Sequence, residues 1–116
     1  ISTNPIICPR EGELVVKVTD SRVNSTDWKL YAKVNQELTS IAGDLFEGRL
    51  IYKDSNSNIY NLSSNPILVY TGKQNSGNMS TTNVSWNDNE GILLMIDGKI
   101  INGMEYTANI IWSIEE

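Results

Sequence analysis

The sequence predicts a single all-β domain, an antiparallel β-sandwich of the immunoglobulin-like kind with about seven or eight strands. Two observations predict this class: apolar and polar residues alternate in short runs, and Gly, Asn, Asp and Ser bound those runs. A chain of 116 residues, 40% of them hydrophobic, is large enough for one core. No stretch has a convincing helical period, so we expect residues 1–116 to form one domain.

The predicted strands follow one another at a spacing typical of a two-sheet sandwich or a closed barrel. Each is a short run in which apolar side chains recur at every second position. In chain order they are Leu14 to Thr19, Trp28 to Val34, Arg49 to Lys53, Ile59 to Leu62, Ile67 to Thr71, Thr82 to Trp86, Ile92 to Ile96 and Met104 to Ile114.

Loops rich in turn-forming residues separate these strands, notably residues 54–58, 72–78 and 87–91. Two pairs offer the left-handed conformations that tight turns need, Asp97-Gly98 and Asn102-Gly103. Residues 40–46 fit either one helical turn or an irregular crossover between sheets. Because loops on a rigid scaffold often carry binding residues, these segments are candidate positions for a site.

Alternation along the strands also predicts which side chains form the core. Residues two apart on a strand share a face, and the apolar face is expected to lie inward. The predicted core contains Leu14, Val16, Val18, Trp28, Leu30, Ala32, Ile110, Trp112 and Ile114.

Composition argues against several classes of function. The net charge of -5 would repel a phosphate backbone or an anionic membrane surface, so neither nucleic acid nor membrane is an expected partner. The chain has no His and a single cysteine, Cys8, so it lacks the commonest general base and any multi-cysteine metal site. We therefore expect no enzymatic activity, no metal and no cofactor. The chain begins at Ile1 without a basic or apolar leader, so we expect a mature or excised form.

Two further patterns suggest chemistry only weakly, a pair of acidic residues and a possible Lys–Asn bond. Asp88 and Glu90 are close enough in sequence to suggest a carboxylate pair, but solvated surface charge is the expected role. Lys17 and Asn109 are candidates for an internal isopeptide bond of the type found in bacterial surface domains. Alternation places both side chains on the outer faces of their strands, which disfavours the bond.

Two separated segments carry a family resemblance. Trp28-Lys29-Leu30 follows Thr19-Asp20-Ser21-Arg22, and Tyr106-Thr107-Ala108 precedes Trp112-Ser113-Ile114. Together they resemble the paired signatures of the WxL domain, over about residues 13–115, although Ile114 stands where Leu is usual. The resemblance implies secretion, display on a Gram-positive cell surface, and non-covalent attachment to the wall. The implied partner is peptidoglycan or a co-expressed cell-surface protein.

We accordingly predict a non-catalytic module that attaches its parent protein to the Gram-positive cell wall. The alternative is an immunoglobulin-like protein-interaction or spacer module of a bacterial surface adhesin. Both remain open at this point because such sandwiches serve many unrelated roles.

The signature residues Trp28, Leu30, Trp112 and Ile114 have two possible roles. Their spacing is that of inward-facing strand residues, which indicates core packing. An indole at an open edge would instead stack on a sugar or a protein partner. The sequence alone does not separate these roles.

Four further aromatic residues are the candidate ligand-binding set: Trp86, Tyr52, Tyr60 and Tyr70. Trp86 ends a predicted strand and directly precedes a polar loop, so we expect its indole to be partly exposed. The tyrosines recur in the middle strands beside polar neighbours. Partly exposed Trp and Tyr residues are common at contacts with partners, whereas the simpler role is to cover a sheet face.

Overall fold

A computed structural model describes residues 6–20, 26–40, 48–73, 79–96 and 106–116 of the chain. Within these ranges the protein is all-β, with nine strands and no helix. The strands are β1 Ile6–Cys8, β2 Leu14–Asp20, β3 Trp28–Ser40, β4 Gly48–Lys53, β5 Ile59–Asn61, β6 Ile67–Gly72, β7 Ser80–Trp86, β8 Gly91–Ile96 and β9 Tyr106–Glu115.

The strands pair in three antiparallel sheets. The first has the order β1-β8-β4-β5, the second pairs β2 with β7, and the third has the order β6-β3-β9. The predicted antiparallel sandwich is confirmed. None of the described residues forms a helix of the length and hydrophobicity that a membrane span requires.

All eight predicted strands are present, with differences mainly at their ends. β3 continues beyond Val34 to Ser40, along β9, and its register with β9 shifts on either side of Gln36. The three-residue strand β1 was not predicted, because Pro9 follows it closely and so short a run shows no alternation. The ambiguous segment beyond Ser40 and the turns predicted at Asp97-Gly98 and Asn102-Gly103 lie outside the described residues.

An apolar core cluster lies between the sheets, and Ile51, Leu93 and Ile96 are also buried, outside this cluster. Its buried side chains come from four of the strands and from the segment after β5: Val18, Trp28, Leu30, Ala32, Val34, Tyr52, Leu62, Val84 and Trp86. Partly buried residues pack around them: Leu14, Val16, Leu50, Ile67, Val69, Ile92, Ile110 and Trp112. All but one of the predicted core residues therefore belong to the core or contact it.

The exception is Ile114, whose prediction as a core residue is wrong. Its register partner in β3 is Leu30, so the two side chains share a face of the sheet. Leu30 is central in its sheet and buried, whereas Ile114 lies near the end of the outer strand β9 and is 51% exposed. Alternation identified its face correctly but carries no information about distance from the rim of the core.

Trp28 fills a space that a glycine leaves open. Its cross-strand partner in β6 is Gly72. A Cβ atom at position 72 would lie 1.9 Å from Cε2 of the indole, so the ring occupies the volume of the missing side chain. The same indole contacts Tyr70, with ring centroids 5.6 Å apart. This packing buries Trp28, while Tyr70 beside it stays partly exposed.

Candidate functional site

A cleft of about 500 Å³ opens where β6 approaches the β4–β5 hairpin and the turn after β7. All four residues of the predicted ligand-binding set line it. We call it the aromatic cleft; its lining is Tyr52, Asp54, Ser55, Tyr60, Leu68, Val69, Tyr70, Thr71, Ser85, Trp86 and Glu90. Residues distant in sequence meet here because β5 and β6 are edge strands of two different sheets in the described part of the fold.

The floor of the aromatic cleft is a hydrogen-bonded pair, Tyr52 and Trp86. The indole Nε1–H donates to the Tyr52 hydroxyl oxygen at 3.0 Å, and that hydroxyl donates to the Val69 carbonyl at 3.3 Å. The two rings meet edge to face with centroids 6.1 Å apart. This chain of bonds links β7, β4 and β6, and it satisfies polar groups that would be costly to bury unpaired.

The expectation that the Trp86 indole is partly exposed is wrong, since only 9% of the residue is accessible. The turn after β7 covers it: the backbone of Gly91 is so close that a Cβ atom there would lie 2.8 Å from Cγ of Trp86. Trp112 also covers it, because the Trp112 ring stacks on Trp86 at 6.1 Å with an interplanar angle of 23°. Trp86 therefore supports the cleft from below.

Tyr60 and Tyr70 form the accessible aromatic walls, with 38% and 37% of their surfaces exposed. Tyr60 lies directly opposite Tyr52 in the β4–β5 register, and their rings are 6.2 Å apart. Such cross-strand aromatic pairs stabilise a hairpin and fix ring positions. Tyr70 is held through its contact with Trp28. The two exposed rings are thus supported by two buried ones.

The β4–β5 hairpin places a carboxylate at one end of the cleft. Asp54 Oδ1 accepts backbone N–H bonds from Asn56 and Asn58 at 2.9 and 2.8 Å. Its Oδ2 accepts from the Asn58 amide at 3.1 Å and from the Tyr60 hydroxyl at 3.3 Å. Ser57 has a φ of 66°, the left-handed residue that closes the turn. Desolvation opposes ionisation of Asp54, but these hydrogen bonds outweigh it and lower its pKa.

The turn after β7 places Glu90 at another part of the rim. Asn87 Nδ2 donates to Glu90 Oε1 at 2.6 Å, and the Glu90 N–H donates to the Asn87 carbonyl at 3.2 Å. The Arg10 guanidinium holds this turn by donating to the carbonyls of Trp86 and Ile92 at 3.0 and 2.9 Å. It also donates to the carbonyls of Asn87 and Glu90. Burial lowers the pKa of Arg10, against the opposing charge of Asp88.

Electrostatically the aromatic cleft is acidic. Asp54 and Glu90 line it, and no Lys or Arg occurs among the described residues of the lining. Burial raises the pKa of the Tyr52 hydroxyl; the bond from Trp86 opposes this rise, and the charges of Asp54 and Glu90 add to it. Tyr52 therefore stays a neutral phenol at physiological pH, and the negative charge resides on the carboxylates.

The signature residues divide between core and cleft support. Trp28 and Leu30 are buried in the core, Trp112 is half-buried against Trp86, and Ile114 is exposed. None of the four lines the aromatic cleft. Trp28 and Trp112 nevertheless contact residues that do, Tyr70 and Trp86 respectively.

Lys17 and Asn109 are both exposed and belong to different sheets. Lys17 lies opposite Asn83 in the β2–β7 pair, whereas Asn109 lies opposite Gln36 and donates to its side-chain oxygen at 3.0 Å. The register thus does not place the two isopeptide candidates side by side. No group of three or more His, Cys, Asp or Glu residues within the described ranges could hold a metal ion.

Sequence reasoning placed Asp54 in a candidate binding loop, residues 54–58, without naming it as a site residue; it did not single out Arg10, and it assigned Glu90 to the solvated surface. The repeated Asn and Ser residues after Asp54 were a usable signal, because a hydrogen-bonded turn between Tyr52 and Tyr60 implies an Asp side chain beside both rings. Arg10 had no comparable signal. Its bonds reach carbonyls about 80 residues away in the chain.

Comparison of the chain with protein-family models, with curated proteins and with solved structures finds no match.

Proposed function

We propose that this domain is a non-catalytic, secreted module that attaches its parent protein to the Gram-positive cell wall by binding peptidoglycan glycan in the aromatic cleft. The observation that carries the proposal is the meeting of Tyr60 and Tyr70, both exposed, in one cleft with a rigid aromatic floor. The resemblance of the two tryptophan segments to the WxL domain supports the same class of function.

The lining of the cleft suits a sugar ring. Exposed phenol rings offer flat apolar area at a low entropy cost, which matches the C–H faces of a pyranose. Hydroxyls at the rim can bond sugar hydroxyl groups, and Ser55 and Thr71 are placed for this. Because the floor is already hydrogen-bonded, few side chains would need to be ordered when a ligand binds.

A sedimentation assay with insoluble peptidoglycan, with and without its teichoic acids, tests the proposal. We expect the domain to be retained, and Tyr60→Ala or Tyr70→Ala to weaken binding by about tenfold or more. Ile111→Ala is the matched control, since Ile111 is an exposed apolar residue outside the cleft. Unfolding midpoints of all variants are measured in parallel so that binding is compared per folded molecule. No retention under either condition would overturn the proposal.

The protein-interaction module is a second candidate, favoured by exposed apolar residues on β9. Ile111 and Ile114 are both exposed, and in the described fold β9 pairs with a strand on one side alone. An apolar edge strand can accept a strand from a partner protein. Under this alternative, retention by cell walls would require wall proteins, and it would be lost with Ile114→Lys but kept with Tyr60→Ala.

A further inference from the structure

The aromatic cleft combines two features, exposed phenol rings and two carboxylates in its lining. Tyr60 and Tyr70 supply the rings, and Asp54 and Glu90 supply the carboxylates. No basic side chain lies among the described lining residues. Arg10 is close to the same turn, but its guanidinium is directed to backbone carbonyls rather than to a carboxylate.

The charges of Asp54 and Glu90 both act on the floor of the aromatic cleft. Each raises the pKa of the Tyr52 hydroxyl through its charge, so both lie within effective electrostatic range of the cleft floor. Asp54 reaches the cleft from the β4–β5 hairpin and Glu90 from the turn after β7. A ligand on the floor would therefore meet negative charge from two separate elements.

The charge at Asp54 is fixed by the fold. Four hydrogen bonds from Asn56, Asn58 and Tyr60 converge on its two oxygens. One of these donors is the hydroxyl of a cleft wall, so the exposed Tyr60 ring and the Asp54 carboxylate are held in one geometry. An ammonium group above that ring would be attracted by the ring face and by the charge of the carboxylate together.

From this arrangement we propose that the aromatic cleft selects a saccharide carrying a protonated amine, an amino sugar without its N-acetyl group, over the neutral N-acetylated sugar and over anionic glycans. This selectivity rests on the proposed glycan-binding function of the cleft. Tyr60 and Tyr70 contact the sugar ring, Glu90 accepts from the ammonium group, and the Asp54 carboxylate, whose oxygens are already hydrogen-bonded, attracts that group by its charge. An anionic sugar or phosphate would be repelled by the same two carboxylates.

The test compares two soluble probes by isothermal titration calorimetry: a β-1,4-linked tetramer of glucosamine and the N-acetylglucosamine tetramer of the same length. Titrations are run at low ionic strength and at slightly acidic pH, where the amine is protonated. We expect the glucosamine tetramer to bind about tenfold more tightly. The preference should shrink as salt is added, because salt screens charges on a partly exposed surface.

Glu90→Gln is the diagnostic variant, since it removes the charge and keeps an oxygen to accept from Asn87. It should lower the preference for the glucosamine tetramer over the N-acetylated tetramer by about three- to tenfold. Asp88→Asn is the matched control, a carboxylate of the same turn that does not line the cleft. It should leave the preference intact.

Equal affinity for the two tetramers would overturn the charge selectivity and leave the proposed function standing. Binding of neither tetramer would also overturn it, and retention on whole peptidoglycan would then decide separately whether the proposed function holds. The preference for the glucosamine tetramer could also be unchanged in Glu90→Gln and lowered in Asp88→Asn. This result would show that the ammonium group binds outside the cleft, which also contradicts the inference.

Discussion

Position 72 has no room for a side chain. The Cβ of an alanine there would lie 1.9 and 2.1 Å from Cε2 and Cζ2 of Trp28, so the indole or the β6 backbone must move. We expect Gly72→Ala to lower the free energy of unfolding by about 3 kcal/mol, as is typical of overpacking in a core. Urea titration measures it. Thr71→Ala, an exposed change on the same strand, should shift the midpoint little, and equal midpoints for both variants would contradict this packing.

The Tyr52 hydroxyl is the acceptor for a buried indole N–H. Tyr52→Phe keeps the ring but leaves Trp86 Nε1 without its partner, and we expect this to lower the free energy of unfolding by about 1–3 kcal/mol. Tyr60→Phe removes the same atom from an exposed ring and should cost well under 1 kcal/mol by comparison. Thermal unfolding of both variants provides the comparison. A smaller loss for Tyr52→Phe than for Tyr60→Phe would show that the buried bond is unimportant.

At the same scale, sequence reasoning identified the right residues but misjudged the exposure of one. Tyr52, Tyr60, Tyr70 and Trp86 meet in one cleft, yet Trp86 is buried beneath the turn that follows it. Its burial depends on Gly91 and on Trp112, a residue of another sheet. Alternation is a local property of one strand and cannot predict a cover supplied by distant segments. For Ile114 the opposite error occurred: alternation predicted the correct face of the sheet, but the residue is exposed because it lies near the end of the outer strand.

The β4–β5 hairpin is an element whose order depends on an ionised side chain. Hydrogen bonds to Asp54 lower its pKa in the folded state, against a desolvation effect that would raise it. A lowered pKa means that the stabilisation is present above the pKa of the unfolded chain and is lost as pH falls through the folded value. We expect the amide resonances of Asn56 and Asn58 to titrate in acid with a midpoint below that of an ordinary aspartate.

Asp54→Asn provides the control for this titration, since it retains an oxygen for the turn and removes the ionisable group. In that variant the acid-dependent shifts of Asn56 and Asn58 should disappear. A midpoint at or above the ordinary value for aspartate, measured in the parent protein by NMR, would mean that the four bonds do not hold the carboxylate charged.

Strands as elements were largely predictable, since each predicted strand occurs in the structure. The period of two is encoded within single segments, and turn formers mark their ends. The alternation pattern does not show which strands pair with each other. Only the sheet topology shows that β5 and β6 are edge strands of different sheets. The aromatic cleft lies at that junction, so its four aromatic residues were predictable as a set, whereas its shape and its other lining residues were not.

For the molecule as a whole, the net charge and the charge of the cleft have opposite effects on binding to the wall. The chain carries a net charge of -5, which repels anionic teichoic acids, whereas the acidic cleft attracts an ammonium group. Long-range repulsion is screened once the Debye length falls to about 8 Å, near physiological salt, while contacts within the cleft are screened less. The two effects should therefore separate when salt and teichoic acid are varied together.

We expect opposite salt dependence on two wall preparations. On intact walls, raising salt from low to moderate concentration should increase retention of the domain, because repulsion by teichoic acid is screened. At low salt, walls stripped of teichoic acid should retain more of the domain than intact walls do. Retention on the stripped walls should fall modestly with added salt, because only attraction in the cleft remains to be screened. Sedimentation assays at a series of salt concentrations measure both curves.

Charge variants outside the cleft supply the control for these curves. Glu11→Gln combined with Glu13→Gln removes two negative charges at exposed positions that do not line the aromatic cleft. This variant should bind intact walls better at low salt and stripped walls as the parent does, since only the long-range repulsion has changed. If moderate salt instead abolishes retention on intact walls, attachment depends on attraction to an anionic polymer. The acidic net charge would then have to be overcome by a basic surface on the domain itself.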